Sequence, residues 1–288
     1  MSVDLLQEKI RKTKNPAVVV FEAFPEWIPP QLLDECGVPQ ALETLYTELL
    51  FRMKGHVGAV RFGFGSFALL GAEGLSALSR LLGEAKRQGY YVLLDAPETL
   101  SALAAKNAAA SFAAQDTLYP CDGFVVCSYL GSDILSGYLS LCKQGKSLFA
   151  VVRTANRSAP EMQDLLSGGR LVHTAAADIV NRLGESRIAK CGFSQVGVLA
   201  SASSADSLRS LRGKYSKLFL LLDGYDYPNA NAKNCSYAFD KLGHGAAACA
   251  GASVVAAWSG SENADYSEAA IEALQRMKKN LTRYITVL

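Results

Sequence analysis

The stretch VGAVRFGFGSFALLGAEGLSALSRLLGEAKRQGYYVLLD, running from Val57 to Asp95, holds one complete strand–helix–strand unit. Residues 57–61 and 90–94 are short apolar runs, rich in β-branched and aromatic side chains. Between them Leu75, Leu78, Leu81 and Leu82 recur at helical spacing over residues 72–88. Two strands joined by a helix of this length are parallel neighbours, because an antiparallel pair needs only a tight turn.

The same unit repeats outward in both directions. Upstream, residues 17–21 read as a strand and 40–53 as its helix, with Leu42, Leu45, Leu49 and Leu50 on one face. Downstream, strands are predicted at 123–126, 147–152, 196–199, 218–222 and within 247–257. Helices are predicted at 101–112, 133–143, 159–166, 172–183, 205–212, 231–242 and 265–284. The strands are near-continuous apolar runs, the pattern of a parallel sheet buried on both faces. Eight units in 288 residues predict a single (β/α)8 barrel, the TIM-barrel form of α/β fold, with a doubly wound open sheet as runner-up. No Pro/Gly/Ser-rich linker divides the chain. Residues 1–288 are therefore expected to form one domain, with 1–16 as an N-terminal extension packed outside the barrel.

Half the residues are hydrophobic and 19% are charged, enough for a large buried core. A net charge of +2 gives no reason to expect a nucleic-acid or membrane partner. No apolar run reaches the roughly 18 residues of a membrane span, and residues 1–15 carry no signal-peptide core. Seven cysteines with no CxxC pair read as reduced thiols of a cytoplasmic protein. His56, His173 and His244 lie far apart, so no metal site is expected. Gly145-Lys146-Ser147 ends like a phosphate-binding loop, but Ser140 stands where its first glycine belongs. Gly63-Phe64-Gly65 lacks the third glycine of a dinucleotide fingerprint, Ala68 standing there. No cofactor is expected.

In a barrel of this kind, functional groups stand just beyond the C-terminal ends of the strands. That rule selects Glu22 after strand 1, Arg61 at the end of strand 2 and Asp95 at the end of strand 3. Ser128 and Tyr129 follow strand 4, Arg153, Thr154 and Asn156 follow strand 5, and Asp223 and Asp226 follow strand 7. Glu22, Arg61 and Asp95, on neighbouring strands, predict a carboxylate–guanidinium–carboxylate cluster. It reads equally well as a ligand site and as a salt-bridge ring that closes the mouth.

Several of these segments also resemble a known family. Phe124-Val-Val-Cys-Ser-Tyr-Leu-Gly-Ser-Asp133 is similar to the TVNPYLGxD segment of the bacterial type 2 orotidine 5′-phosphate decarboxylases. Arg153-Thr-Ala-Asn-Arg-Ser-Ala159, with Gln163 beyond, is similar to their RTSNPSA…Q segment. Gly71-Ala-Glu-Gly74, Tyr91-Val-Leu-Leu-Asp-Ala96, residues 18–26 and residues 198–208 extend the likeness over about residues 15–260.

The resemblance implies a barrel, a homodimer with paired mouths, and a catalytic Asp–Lys–Asp–Lys array. The family's DAKRGD motif aligns with Asp95-Ala96-Pro97-Glu98-Thr99-Leu100, so Pro97 replaces the proton-delivering lysine and Leu100 the aspartate that enters the partner's site. Arg61 aligns with the other lysine and Glu22 with the ribose-contacting aspartate. The phosphate-binding loop aligns with Gly224-Tyr-Asp-Tyr-Pro-Asn229, which puts Pro228 at the phosphate-binding glutamine.

Asp95 and Arg61 thus stand at catalytic positions, and Glu22, Thr154, Asn156 and Asp223 at ligand-binding ones. The expected function is a family barrel that has lost decarboxylation and binds a small molecule at its mouth, or pairs as a subunit with an active homologue. The alternative is an active decarboxylase making uridine monophosphate for pyrimidine synthesis, or a lyase of altered substrate with a rearranged site.

Overall fold

The computed structural model describes residues 2–97, 105–114, 116–260 and 265–286. Eight parallel strands close into a barrel: β1 (Ala17–Phe21), β2 (Ala59–Gly63), β3 (Tyr91–Asp95), β4 (Gly123–Cys127), β5 (Ser147–Val151), β6 (Val196–Ser201), β7 (Leu220–Asp223) and β8 (Ala246–Ala250). Each strand hydrogen-bonds its sequence neighbours, and β8 pairs with β1 through Ala17 opposite Ala248, which closes the ring. The open-sheet alternative is therefore excluded.

Strand alternation sorts the core into two layers. Val18, Val20, Tyr91, Leu93, Phe149 and Phe219 point to the barrel axis, whereas Val19, Phe21, Val92 and Leu94 point to the surrounding helices. Each strand is therefore apolar on both faces until its C-terminal end. The helices that follow the strands are α2 (Val38–Arg52), α3 (Gly71–Gln88), α4 (Ala105–Ala113), α5 (Ser132–Lys143), α6 (Val172–Gly184), α7 (Ala205–Lys214), α8 (Ala232–Ser236) and α9 (Tyr266–Thr282). In α3 the buried stripe is Gly74, Ala77, Leu78, Leu81, Leu82 and Ala85, while Leu75 is only part-buried. The helix expected over 231–242 is confined to Ala232–Ser236. Beyond it the chain turns so that Asp240 accepts hydrogen bonds from the N–H groups of Leu242 and His244.

The N-terminal extension is itself a helix, α1 (Ser2–Thr13). Its Val3, Leu6 and Ile10 are fully buried and join the axial layer beside Phe193 and Phe219. Gln7 accepts a hydrogen bond from the N–H of Gly245, and Ser2 donates to the carbonyl of Asp122. The helix thus stops the N-terminal end of the barrel. All charged candidates lie at the other end.

Candidate functional site

The register decides which side chains meet at the C-terminal mouth. Arg61 shares its inward parity with Ala59, Asp95 with Leu93, Asp223 with Leu221 and Cys249 with Ala247. Arg61 is 6% exposed. Its Nη2 donates to Asp223 Oδ1 at 2.6 Å, and its Nε lies 3.4 Å from Asp95 Oδ2. Burial works against the guanidinium's charge, but Asp223, Asp95 and the more distant Glu22 outweigh it and hold its pKa well above the usual value. Arg61 is thus a fixed cation, unable to release a proton. Its Nε and Nη1 make no hydrogen bond although both are buried.

Glu22 stands on the same side but answers to a different partner. Ser66 Oγ donates to its Oε2 at 2.6 Å, and Tyr46 donates to its backbone carbonyl at 2.5 Å. Gly63 leaves the space the carboxylate needs, since a Cβ there would lie 1.9 Å from Oε2. The expected trio therefore does assemble at one mouth, but the shortest ion pair of Arg61 is with Asp223.

A cavity of about 440 Å³ opens over Arg61, lined also by Glu22, Phe24, Trp27, Asp223, Asp226 and Tyr227. Phe24 and Trp27 meet edge to face, their rings 5.2 Å apart. Trp27 lies so close to the β8 turn that a Cβ on Gly251 would come within 2.6 Å of its ring. Cys249 also lines the cavity, and burial pushes its thiol up to about 12, so it stays neutral. Barrels of this class frequently bind phosphate at the loops after the last two strands. Here Asp226 occupies that position: its carboxylate accepts hydrogen bonds from Gly251 N–H, at 2.6 Å, and from Ser253 Oγ. A carboxylate holding these donors leaves them unavailable to a second anion.

The candidates after β4 and β5 are committed elsewhere. Ser128 donates to the carbonyl of Val151 at 2.5 Å and Tyr129 to that of Val152, so both hydroxyls latch one strand end to the next. Arg153 is buried in a two-bond pair with Asp164, both contacts at 2.9 Å, and His173 Nδ1 lies 3.1 Å from the same carboxylate. Thr154 is held by Gln163 and also contacts Asn156 at 2.6 Å. Asn156 lines a neighbouring cavity of about 430 Å³, together with Arg157, Ser203 and Asn229. That cavity meets the Arg61 cavity at Tyr227 and Pro228, which line both. Thr154 and Asn156 thus do not line the Arg61 cavity, and Arg157 is a cation that the sequence reading passed over. Its position after strand 5 was the available signal.

Pro97 follows β3 with no ionisable group, and Lys106 is exposed on α4. Glu98, Thr99 and Leu100 lie outside the described residues, as do residues 101–104 of the predicted helix. Among the described residues that line the Arg61 cavity there is no lysine.

No protein-family model matches the chain. It is 25% identical over 287 residues to the orotidine 5′-phosphate decarboxylase of Clostridium novyi, covering 98% of each chain. It is 26% identical over 252 residues to that of Rhodopirellula baltica, covering 84% of this chain and 83% of the relative. Among solved structures, the orotidine 5′-monophosphate decarboxylase of Plasmodium berghei superposes with a TM-score of 0.77 at 11% identity, covering 99% of both chains. The resemblance read from the strand 4 and strand 5 segments thus extends over the whole chain, and the barrel is the fold of those enzymes.

Proposed function

We propose that this chain is an orotidine 5′-phosphate decarboxylase-family barrel that has given up decarboxylation and kept a small-molecule site at its mouth. The observation that carries the reading is the cation inventory over β2 and β3: a proline at position 97 and a buried arginine held by two carboxylates. Decarboxylation without a metal leaves a carbanion, which needs a nearby positive charge and then a proton. Arg61 supplies charge already neutralised by Asp223 and Asp95, and its raised pKa denies it the role of acid. The carboxylate of Asp226 at the β8 turn supports loss of the phosphate anchor as well. Without that anchor, the binding energy that would hold the reacting carbon in place is absent.

The test is spectrophotometric loss of orotidine monophosphate by the purified protein. The expected result is no rate above background. Pro97→Lys restores a cation but not a phosphate contact, and is expected to remain inactive. Turnover that disappears in Asp95→Ala would overturn the reading.

One observation favours the second reading, an enzyme with a rearranged site. Arg157 stands in the cavity next to the mouth, and a ligand lying across Tyr227 and Pro228 would bring an anionic end to it. Uridine monophosphate binding that Arg157→Ala abolishes would support that reading.

For assembly, we propose a homodimer through the β3–β4 edge of the mouth, with a heterodimer with an active homologue as the variant form. Leu118 and Leu130, before and after β4, are large exposed apolar side chains that support this edge. The proposed role of Leu100 at the seam falls on a residue outside the described ones. Sedimentation showing only monomer at micromolar concentration would rule the dimer out.

A further inference from the structure

We infer that the cavity over Arg61 is built for a small organic cation with apolar substituents, such as an amino alcohol or a quaternary ammonium. The inference rests on the reading that the mouth binds a small molecule without a phosphate, and it names the class of that molecule.

Charge is the first argument. Glu22, Asp223 and Asp226 line the cavity and Asp95 stands behind Arg61, so four carboxylates face one guanidinium. The surplus is negative. Asp226 also holds the N–H of Gly251 and the hydroxyl of Ser253, so an anion entering here meets a like charge and occupied donors. A cation meets the opposite.

The walls are the second argument. Phe24, Trp27 and Tyr227 surround the acidic floor, and Phe24 and Tyr227 remain 38% and 49% exposed. Aromatic faces within about 6 Å attract ammonium groups through the ring quadrupole, more strongly where water is excluded. A carboxylate floor under aromatic walls therefore selects a cation with apolar substituents over a hydrated metal ion.

The space itself is the third argument. A salt-bridge ring that merely closed the mouth would leave no cavity of about 440 Å³ above it, a volume within the usual range of roughly 300–1,000 Å³ for ligand sites.

Isothermal titration with matched pairs tests this directly. Choline and its neutral isostere 3,3-dimethyl-1-butanol form one pair; glucosamine and glucose form the other. In at least one pair the cation is expected to bind about five- to thirty-fold more tightly than its neutral partner. Glu22→Gln keeps an oxygen that Ser66 can donate to while removing a charge, and is expected to bring the two members together. Trp27→Leu is expected to weaken the cation selectively, which covers the case in which the first variant folds poorly.

Equal binding within both pairs, or no binding by either cation up to about 10 mM, overturns the cation assignment. Uridine monophosphate titrated beside them separates the two failures. Its binding overturns the underlying reading of an abandoned phosphate site whatever the cations do. Its failure to bind, together with equal pairs, overturns the cation assignment alone.

Discussion

The two ends of the barrel are made from the same eight strands, yet they face inward with opposite chemistry. At the N-terminal end the axial positions are Val18, Ala59, Tyr91, Phe149, Phe219 and Ala247, and α1 adds Val3, Leu6 and Ile10 to the same layer. At the C-terminal end, two to four residues further along, the axial positions become Arg61, Asp95, Asp223 and Cys249. The closed end is filled by side chains that are interchangeable in kind, because only volume and apolarity matter there. The open end depends on identities, because one charge more or less changes which ligand fits. Substitutions at the closed end should therefore remove stability and spare binding, and those at the mouth should do the reverse.

The largest expected effect tests the closed end. Phe219 packs edge to face against Phe149 and Phe193, with ring centroids 5.9 and 6.0 Å away. Phe219→Ala is expected to cost about 3–5 kcal/mol in urea unfolding, with ligand selectivity at the mouth unchanged wherever the variant is folded. A loss below about 1 kcal/mol would mean that the axial layer is loosely packed, and the contrast between the ends would fail.

Arg61→Met comes next and tests the mouth. Removing one member of a buried ion cluster strands the others, at roughly 3–5 kcal/mol for a fully buried pair. Asp95 and Asp223 keep 17% and 26% of their side-chain surface in water, so about 2–3 kcal/mol is expected. The folded-state pKa of Arg61 is raised above its already strongly basic unfolded value, so its contribution is complete below that value and lost only above it. The difference between wild type and variant attributable to this group should therefore stay flat from about pH 6 to pH 10. A difference that grows or fades in that window would show that another group carries the energy.

The smallest effect sharpens the comparison. Asp265 caps α9 by accepting hydrogen bonds from the N–H groups of Ser267 and Glu268, at 2.8 and 3.1 Å. Asp265→Ala should cost about 1 kcal/mol. The hydroxyl of Ser267 and the N–H of Glu268 hold the carboxyl below its usual pKa. Its contribution is therefore present above the unfolded value near 4 and disappears as pH falls through the lowered folded value. A cap at the helix rim should change neither end's chemistry, so cation selectivity that shifted with it would blur the boundary between frame and site.

How far the sequence could be read follows from how local each signal was. The barrel strands are mostly apolar runs, and the first seven were expected within about two residues of their places; the eighth, expected within 247–257, occupies Ala246–Ala250, with short helical turns after it. Strand β2 was expected at 57–61 and lies at Ala59–Gly63, because Val57 is drawn into a separate bridge with Lys54. Helix α1 was passed over. The segment was expected only as an extension packed outside the barrel: Val3, Leu6 and Ile10 do stand at helical spacing, but Asp4, Glu8 and Lys9 between them and the basic residues beyond mask the stripe. At the mouth, Glu22, Arg61 and Asp95 were legible because they end consecutive strands. The tighter pairing of Arg61 with Asp223 was not, since β8 and β1 stand between β2 and β7 in the ring and only closure brings the two across. The latches of Ser128 and Tyr129 onto β5 were also hidden, because a hydroxyl that bonds a backbone carbonyl looks in sequence like one that is free to act.

The stopper helix bears on the order in which the molecule can be put together. α1 is synthesised before any strand, but its surroundings are supplied by the whole chain: Asp122 before β4, Gly245 before β8, and Lys278 of α9, which donates to the carbonyl of Thr13 at 2.8 Å. Until the ring is closed, Val3, Leu6 and Ile10 have no axial layer to enter. The segment that leaves the ribosome ahead of the barrel is thus seated after it, and its apolar stripe waits while roughly 240 further residues, through β8, are added, many seconds at ordinary elongation rates.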